Sequence, residues 1–482
     1  MAKLLIPAKP RRGPRLPLTL ATFLVPLLGM FIILNIAPVR SPLGENEASL
    51  ALAVRHLADP NFMNHPAEAS LTATSVAITA LGRTIVGSSE FQLRIFGLLA
   101  GIAAMSVLLR LGERLYSTRV GILAVILLFA TPSGRDLLGA QLSITPFYLL
   151  TSCLALRAIR VLAISRLAGL YAGMAIGTSF ALVGYPALWL LLFTAIWLRR
   201  LRGLTMRNSL QLMGITMATA AGVWFLSVGI LVAYGHPMGQ AIASGLGGAR
   251  SHEALSDIVP GLLVFLPLIP VVGLGISFRP SGWRWQGSPR FLAIWLSCSL
   301  LELVLTGQWS SIFVALCVAI AVPCIWAIEN ASRKNAALTF AVSVAVLLVV
   351  ATVAPGQVAH RSHERWAARE TSRFARRLVP IEVPIRTAPE LRNRIAYYGR
   401  RQTLPPDTSD RTQTPYILLE RASLTGMDED VPLPRELVLK NTPTRIVAEI
   451  GPYVLAKQSV KEADRATPVL SLDRYATFWQ SP

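Results

Sequence analysis

Two carboxylates flank an amide in the stretch GENEASLALAVRHL, which runs from Gly44 to Leu57. Glu45 and Glu47 lie on either side of Asn46, shortly after the first long apolar run of the chain. A positioned carboxylate can act as a general base toward a hydroxyl or an amine. Carboxylates also favour the start of a helix, where backbone N–H groups lack partners. The sequence leaves both roles open, chemistry and helix capping.

Other chemically capable residues lie in three further places. His65 and Glu68 have the spacing of a helical i, i+3 pair, although a metal site would need more such ligands. The 235–257 segment combines Gly-rich backbone with Arg250, and this combination could receive a phosphate. Solvated loops are the alternative in both cases. Glu302 lies inside an apolar run, where an acid is costly and is a functional candidate by default.

The composition predicts that these residues are carried by an integral membrane protein. The chain has 482 residues, of which 53% are hydrophobic and 15% are charged. A soluble domain carries about 25% charged residues. The mean hydropathy is +0.52. Apolar runs of about 20 residues can cross the hydrocarbon layer, and they must be helical because lipid offers no backbone partners.

The apolar runs predict eleven spans with an uncleaved first helix. They cover residues 17–37, 91–110, 119–132, 142–157, 167–182, 184–198, 209–234, 258–277, 291–306, 309–328 and 336–354. With this count every basic cluster between spans falls on one side, which the positive-inside rule makes cytoplasmic. The N-terminus is therefore cytoplasmic. The opposite side receives the loops 38–90, 132–141 and 235–257 and everything after Pro355.

The outer segments contain the elements that would position the candidates. Leu50, Val54 and Leu57 recur at helical spacing, so an amphipathic helix is expected to lie on the outer membrane surface. Residues 1–354 form the predicted transmembrane domain, and 355–482 form a small α/β domain. Within the latter, HRSHERWAARETSRFARRL and APELRNRIAYYGRR predict helices, whereas TPYILLERA, RELVLK and RIVAEIGPYVLA predict strands.

Charge and cysteine usage exclude other classes. The net charge of +20 is distributed as short clusters between apolar runs and forms no basic patch interleaved with aromatic residues, so no nucleic-acid partner is expected. The four cysteines all lie in apolar runs and are interpreted as small core residues.

Taken in order, these segments resemble the GT-C fold glycosyltransferases that use polyprenyl-phosphate sugars, in particular the protein O-mannosyltransferases and lipid A aminoarabinose transferases. NEASLALAVRHL lies on the family's Asp-Glu motif and the helix after it. Residues 88–132 match the next stretch, including an Arg after an acidic-aromatic pair and an ATP ending. GARSHEALSDIVPGLLVFLPLIP looks like the later loop in which an Arg precedes a span. The resemblance implies about 11 transmembrane helices and an outer α/β domain.

The chain departs from the family at its polar positions. The catalytic Asp of the family falls on Asn46, and Glu47 matches the residue beside it. In the second outer loop Gln141 and Pro146 replace an Arg and an acid, and LVGYPA at 182–187 lacks the family's lysine. An amide cannot act as a general base, so Glu45 or Glu47 would have to take this role.

The resemblance implies transfer of a sugar from a polyprenyl-phosphate donor to a lipid, glycan or protein on the outer face of a bacterial inner membrane. Arg250, and second to it Arg55, would stabilise the leaving phosphate. His65 and Glu302 are further substrate-binding candidates. No cofactor is assigned, and a divalent metal at the phosphate stays open.

Two other functions remain in view. One is an inactive relative that binds lipid-linked glycan or assists envelope glycan assembly. The other is a transporter, which is disfavoured because the sequence shows no pairs of broken helices and no charged residues in the middle of spans.

The topology can be tested with reporter fusions. Because the basic clusters share one face under an eleven-span count, fusions after Lys334 and after Tyr398 are expected to report opposite sides of the membrane. Enzymatic reporters with opposite compartment requirements measure this directly. The same side for both fusions would contradict the topology.

Overall fold

The computed structural model describes most of the helical region and parts of the C-terminal region. The described residues are 25–29, 42–58, 73–87, 89–140, 142–162, 166–200, 204–233, 268–277, 288–334, 356–380, 382–400, 402–404, 416–420, 436–439, 442–450, 453–458 and 470–471. The predicted spans 17–37 and 336–354 therefore lie largely or wholly outside this description.

The chain divides into two compact units. The first contains residues 1–39 and 69–358, and the second contains residues 40–68 and 359–482. Residues 42–58, which the sequence groups with the predicted transmembrane domain, fall in the same compact unit as the described C-terminal residues.

The regular secondary structure described in the first unit is helical. The helix α1 (Glu45–Ala58) belongs to the second unit. The longer helices of the first unit are α2 (Ala73–Val86), α3 (Glu90–Leu115), α4 (Thr118–Ala130), α5 (Thr145–Arg160), α6 (Arg166–Val183), α7 (Leu188–Arg200), α8 (Met206–Ala233), α9 (Ile269–Ser277), α10 (Ser288–Thr306) and α11 (Ser310–Lys334). The sequence analysis missed α2, because it treated the whole of 38–90 as one outer loop with a single helix.

Several helices are long and apolar enough to cross a membrane. By length and composition, four described helices qualify, namely Glu90–Leu115, Met206–Ile230, Pro289–Thr306 and Ser310–Glu329. A fifth is added if α4 and the segment after it form one bent span. These helices agree with four of the predicted spans, and the total of eleven stays a prediction.

The local sequence explains how α3 begins. Gly87 has a φ of +120°, which glycine adopts without strain and which lets the chain turn from α2. Ser89 then caps α3, since its hydroxyl accepts from the Gln92 N–H at 3.3 Å. The Gln92 side chain in turn accepts from the Ser89 N–H at 3.0 Å. This reciprocal capping box satisfies two backbone donors at the helix start.

A sharp bend follows α4. The helical stretches Thr118–Phe129 and Ser133–Ala140 meet at 99°. Gly139 has a φ of +96° and lies against Gly97 so closely that a Cβ atom would come within 2.5 Å of the Gly97 carbonyl carbon. Glycine is therefore required for the returning segment to reach α3. The sequence shows no pair of broken helices, and the 99° bend corrects this expectation. Residues 132–141 were predicted as an outer loop, whereas residues 132–140 are helical and include the buried Leu137 and Leu138.

The second unit combines three helices with a mixed sheet. Its elements are α1, most of α12 (Gly356–Leu378), α13 (Pro389–Gly399) and the strands β1 (Ile385–Thr387), β2 (Thr403–Leu404), β3 (Tyr416–Glu420), β4 (Glu436–Leu439), β5 (Thr442–Ile450), β6 (Tyr453–Gln458) and β7 (Leu470–Ser471). The predicted helices and strands of this region are confirmed at these positions, and RIVAEIGPYVLA forms two strands rather than one.

The sheet order is β2-β1-β3-β6-β5-β4, with β7 beside β5. β1 runs parallel to β2 and β3, whereas β3, β6, β5 and β4 form antiparallel pairs in that order. Residues from helices and strands share one buried cluster, which includes Ala368 and Ala375 of α12, Leu391 and Ile395 of α13, and Leu418 and Leu455 of the sheet. The two helices therefore cover one face of the sheet.

The helix α1 packs inside this unit. Leu50 and Val54, which define its apolar face, are both buried, and α1 contacts α13. The expectation that this face lies on the membrane surface is wrong for these two residues, because protein covers them. The period of the apolar residues predicted the helix and gave no information about what would cover it.

The close approach at the bend predicts an asymmetry between glycines. A Cβ atom at Gly101 of α3 would overlap the carbonyl oxygen of Leu138, whereas nothing lies within 4 Å of one at Gly214 of α8. Gly101→Ala should therefore destabilise the protein by about 1–3 kcal/mol through overpacking. Gly214→Ala should stabilise it by about 0.5–1 kcal/mol through helix propensity. Thermal unfolding in detergent measures both, and equal melting temperatures would contradict the tight packing at the bend.

Candidate functional site

The start of α1 contains a buried carboxylate with two defined partners. Glu47 is 2% exposed. Its Oε2 atom accepts a hydrogen bond from the Gly44 N–H at 2.7 Å. Glu47 is the third residue of α1, so its side chain reaches back to cap a backbone donor that the helix cannot satisfy. The sequence left two roles open for Glu47, chemistry and helix capping. Its hydrogen bond with the Gly44 N–H is that of a helix cap.

A cation from a distant part of the chain completes the charge balance. Arg365 on α12 places Nη1 3.4 Å from the same Oε2 atom, and the two side chains are only 14% and 3% exposed. A buried carboxylate is stable only with such partners. Gly44 makes room for the guanidinium, because a Cβ atom there would lie 3.3 Å from Arg365 Nη2 and 3.4 Å from Glu47 Oε2.

Tyr398 holds the residue before this glycine. The Leu43 N–H donates to the Tyr398 hydroxyl oxygen at 2.7 Å. The Arg369 guanidinium lies 5.8 Å from the centre of the Tyr398 ring and 4.9 Å from that of Trp366. These cation–π contacts restrain the tyrosine. We call Leu43, Gly44, Glu47, Arg365 and Tyr398 the α1 anchor.

The other candidates of this region differ in how far the structure describes them. Glu45 and Asn46 are the first two residues of α1, and their side chains lie outside the description. Arg55 lies on α1 and is half-buried. His65, Glu68 and Arg250 lie outside the described residues. The catalytic roles of Glu45 and Glu47 and the phosphate-binding role of Arg250 therefore stay predictions.

A second buried carboxylate lies in the first unit. Glu302 of α10 is 2% exposed, and its Oε1 atom accepts a hydrogen bond from the Tyr148 hydroxyl at 2.6 Å. The Trp189 Nε1–H donates to the Tyr148 oxygen at 2.7 Å. The Ser311 hydroxyl lies beside both Tyr148 and Glu302 without the geometry of a hydrogen bond. We call Tyr148, Trp189, Glu302, Ser310 and Ser311 the Glu302 cluster.

Helix ends bring the Glu302 cluster together. Tyr148 lies in the first turn of α5, Trp189 is the second residue of α7, and Ser310 and Ser311 begin α11. Helix N-termini carry partial positive charge, so three of them around one carboxyl group offset part of the cost of burying it. Glu302 lies close to the end of α10, which agrees with the expected position near an end of its span.

A small cavity adjoins the Glu302 cluster. Its lining includes Tyr148, Trp189, Ser310 and Ser311 together with Ser152 and Trp295. Among the described residues, four buried polar atoms of this lining have no hydrogen-bond partner, namely Trp295 Nε1 and the hydroxyl oxygens of Ser152, Ser310 and Ser311. Glu302 Oε2, outside the lining, also has none. The cavity therefore presents donors and acceptors that a small polar group could satisfy.

The described residues do not fit a divalent metal. No group of three or more His, Cys, Asp or Glu side chains among them lies close enough together to hold one. We therefore derive no step through a metal. The four cysteines are buried and unbridged, as the interpretation as core residues requires.

Sequence reasoning missed most partners in both places. Arg365 lies in a segment whose many charges gave no reason to single it out, and Tyr398 is one of two adjacent tyrosines. Tyr148 and Trp189 lie in apolar runs, where aromatic residues are ordinary. Only Glu47 and Glu302 carried a signal, because an acid after or within an apolar run is unusual.

Solved structures with the same fold cover most of the chain. ArnT from Cupriavidus metallidurans in the apo state aligns with a TM-score of 0.54 at 15% identity, over 91% of this chain and 97% of that chain. The same protein bound to undecaprenyl phosphate aligns with a TM-score of 0.56 at 16% identity, over 93% and 99%. The archaeal oligosaccharyltransferase AglB from Archaeoglobus fulgidus, in complex with an inhibitory peptide and a dolichol-phosphate, aligns with a TM-score of 0.53 at 10% identity, over 83% and 69%.

Comparisons of the sequence with protein-family models and with curated proteins found no match. The structural matches confirm the resemblance inferred from the sequence at the level of fold. This chain is an integral membrane protein with the GT-C fold, which ArnT and AglB share. At these identities the fold does not decide the reaction, which depends on the site.

The hydrogen bonds of Tyr148 predict a stability effect. Tyr148→Phe removes the donor to Glu302 and the acceptor for Trp189, and each buried group left without a partner costs about 1–3 kcal/mol. Tyr171→Phe is the matched control, because Tyr171 on α6 is 61% exposed. Thermal unfolding in detergent should show a clear loss for the first variant and almost none for the second. Equal melting temperatures for the two variants would contradict the hydrogen bonds of Tyr148 with Glu302 and Trp189.

Proposed function

We propose that this protein is a membrane glycosyltransferase that moves a sugar from a polyprenyl-phosphate donor to a lipid, glycan or protein acceptor. The observation that carries the proposal is the GT-C fold shared over 99% of the length of ArnT, in the structure of that protein bound to undecaprenyl phosphate. AglB, solved with a dolichol-phosphate, has the same fold. A polyprenyl phosphate is thus the ligand class common to both relatives.

The proposed reaction is a direct displacement at the anomeric carbon of the sugar. A carboxylate takes the proton of the acceptor hydroxyl or amine while the acceptor oxygen or nitrogen bonds to that carbon. The bond from the carbon to the phosphate oxygen breaks, and the polyprenyl phosphate leaves with the electron pair. This displacement inverts the configuration of the carbon. Positive charge beside the phosphate stabilises the leaving group, and we assign this role to Arg250 and then Arg55.

Glu45 is our choice for the general base. Asn46 has no carboxylate, and Glu47 Oε2 is engaged by Gly44 and Arg365. A carboxylate that accepts such bonds is a weaker base, since they stabilise its charged form. Glu45 adjoins the anchored residues in the chain and is the remaining acid of the motif. His65 and Glu302 remain candidates for substrate binding.

The proposed setting is a bacterial inner membrane with the N-terminus in the cytoplasm. Residues 355–482 would then lie in the periplasm, together with the outer loops. The apolar helices support the membrane location, and the basic clusters between predicted spans support the orientation.

A second function is supported by a specific observation. Asn46 lacks the acid of the related family, and Glu47 already has a structural role. Both fit an inactive relative that binds lipid-linked glycan or assists glycan assembly. Mass profiles of glycolipids and glycans from cells with and without the protein separate the two functions. An added or missing sugar supports the enzyme, and identical profiles support the binding protein.

The assignment of the base predicts different results for neighbouring acids. Glu45→Gln keeps the shape of the side chain and removes its charge, so transfer should fall about 10²–10⁴-fold. Its stability should change by only about 0.3–1 kcal/mol, as expected for a charge at a helix start. Asn46→Asp should keep or raise activity. Release of polyprenyl phosphate from a membrane-extracted pool of polyprenyl-phosphate sugars, measured by mass spectrometry, reports the rate.

Glu47→Gln serves as the comparison within the same motif. It removes the charge that faces Arg365, and it should lower the free energy of unfolding by about 1–3 kcal/mol. If Glu45→Gln releases polyprenyl phosphate at the parental rate, Glu45 is not the base. If the parent itself releases none, the inactive function gains support.

A further inference from the structure

We propose that Arg365 and Tyr398 are positioning residues for sugar transfer, which hold the start of α1 and with it Glu45 and Asn46. The inference rests on the proposed function, because it assigns these two residues a part in that reaction. If this is correct, the geometry of residues 42–47 depends on the C-terminal region of the chain.

The backbone amides of Leu43 and Gly44, just before α1, are both bound by side chains. These residues lie outside regular secondary structure, and the Gly44 carbonyl accepts the first hydrogen bond of α1, from the Ala48 N–H at 2.8 Å. The Leu43 N–H is bound by the Tyr398 hydroxyl and the Gly44 N–H by the Glu47 carboxylate. Backbone without such partners opens easily in solution. The Leu43 amide is thus fixed by a contact from α13, and the Gly44 amide by a local cap whose carboxylate is in turn contacted by Arg365.

Arg365 sets the direction of the Glu47 carboxylate. Glu47 Oε2 lies between the Gly44 N–H and Arg365 Nη1, at 2.7 and 3.4 Å. Gly44 lies so close to the guanidinium that a larger residue would have to displace it. The cap of α1 and the ion pair therefore share one oxygen atom, and a change at Arg365 acts on the helix start directly.

The anchoring side chains are themselves supported. Arg369 lies over the rings of both Trp366 and Tyr398, which joins α12 to α13 beside the anchor. The helices are joined further by the buried Leu391 and Ile395 packing with Ala368 and Ala375. Rigid supporting contacts of this kind are what a site needs if its groups are to stay in one geometry.

The functional consequence follows from the position of Glu45, which comes directly after Gly44. A displacement of about 1 Å in a group that meets the substrate can cost about 100-fold in rate. The anchor therefore affects the rate of the chemical step more than the binding of the donor, because it contacts the catalytic segment rather than a lipid.

The first test uses the full-length protein in detergent. Arg365→Gln should raise amide hydrogen exchange at residues 43–48 by at least about tenfold. The release of polyprenyl phosphate at saturating donor pool should fall about 10–100-fold. The half-saturating amount of the pool should change less than about threefold, the pattern of a lost transition-state contact. Arg365→Lys keeps a positive charge and should recover most of the rate.

Arg373→Gln is the matched control for this test. Arg373 lies on the same helix and pairs with Glu370 at 2.9 Å on the surface. Exposed pairs contribute little, so exchange at 43–48 and the release rate should match the parent. If the control loses as much rate as Arg365→Gln, the effect is one of surface charge, and the proposal is overturned.

Tyr398→Phe tests the second contact and keeps the ring beneath Arg369. Exchange at Leu43 should rise, and the release rate should fall about 3–10-fold, as for the loss of one hydrogen bond. Tyr416→Phe is its control, since it keeps the ring 5.9 Å from Lys457 Nζ.

The outcomes separate this inference from the proposed function. Faster exchange with an unchanged rate in both test variants would make the anchor purely structural and overturn the positioning role. Unchanged exchange in both would overturn the anchor itself. Absence of release by the parent would defeat the proposed function, and the exchange measurements would still decide whether Arg365 and Tyr398 hold the start of α1.

Discussion

A carboxylate removed from water must find its partners inside the protein, and at Glu47 this requirement determines which parts of the chain fold together. One partner is local, the N–H of Gly44 at the helix start. The other, Arg365, comes from a position 318 residues further along the chain. An unpartnered buried charge is very unfavourable, so the burial of Glu47 on α1 requires Arg365 of α12 beside it. Arg365 from the C-terminal region is therefore part of the environment of residues 44–47.

Within the described part of the chain, the Glu302 cluster meets the same requirement with neutral hydrogen-bond donors. Its carboxyl group lies among apolar helices and is bound by Tyr148, whose oxygen also accepts from Trp189. Neutral donors and the first turns of α5, α7 and α11 take the place that Arg365 has at Glu47. In a membrane region this arrangement avoids inserting a second full charge, which would carry its own desolvation cost. It also joins four helices at one point, so it contributes to the uniqueness of their packing.

The sequence predicts the elements of both units better than their contacts. The period of Leu50 and Val54 predicts α1, and the β-branched and aromatic residues of 445–456 predict strands, because these patterns are local. The contacts depend on pairs such as Leu43 with Tyr398 and Tyr148 with Glu302, which lie 355 and 154 residues apart. A single sequence contains no information that joins such positions. The bend at Gly139 is missed for a related reason, since a glycine in a loop does not reveal that another backbone will lie against it.

The structure gives Pro146, one of the departures from the pattern of the related family, a packing role. This residue lies in the first turn of α5, where proline's fixed φ and missing N–H are well tolerated, and it is buried. A Cβ atom added at Gly97 would lie 3.7 Å from its ring, so the position is closely packed against α3. At the point where the resemblance predicted an acid, this chain therefore has a residue that starts a helix and fills space. A transferase built on this chain must then place its carboxylates elsewhere. Since Asn46 also lacks an acid, and Glu47 is bound by Gly44 and Arg365, our proposal assigns the base to Glu45, the remaining acid of residues 45–47.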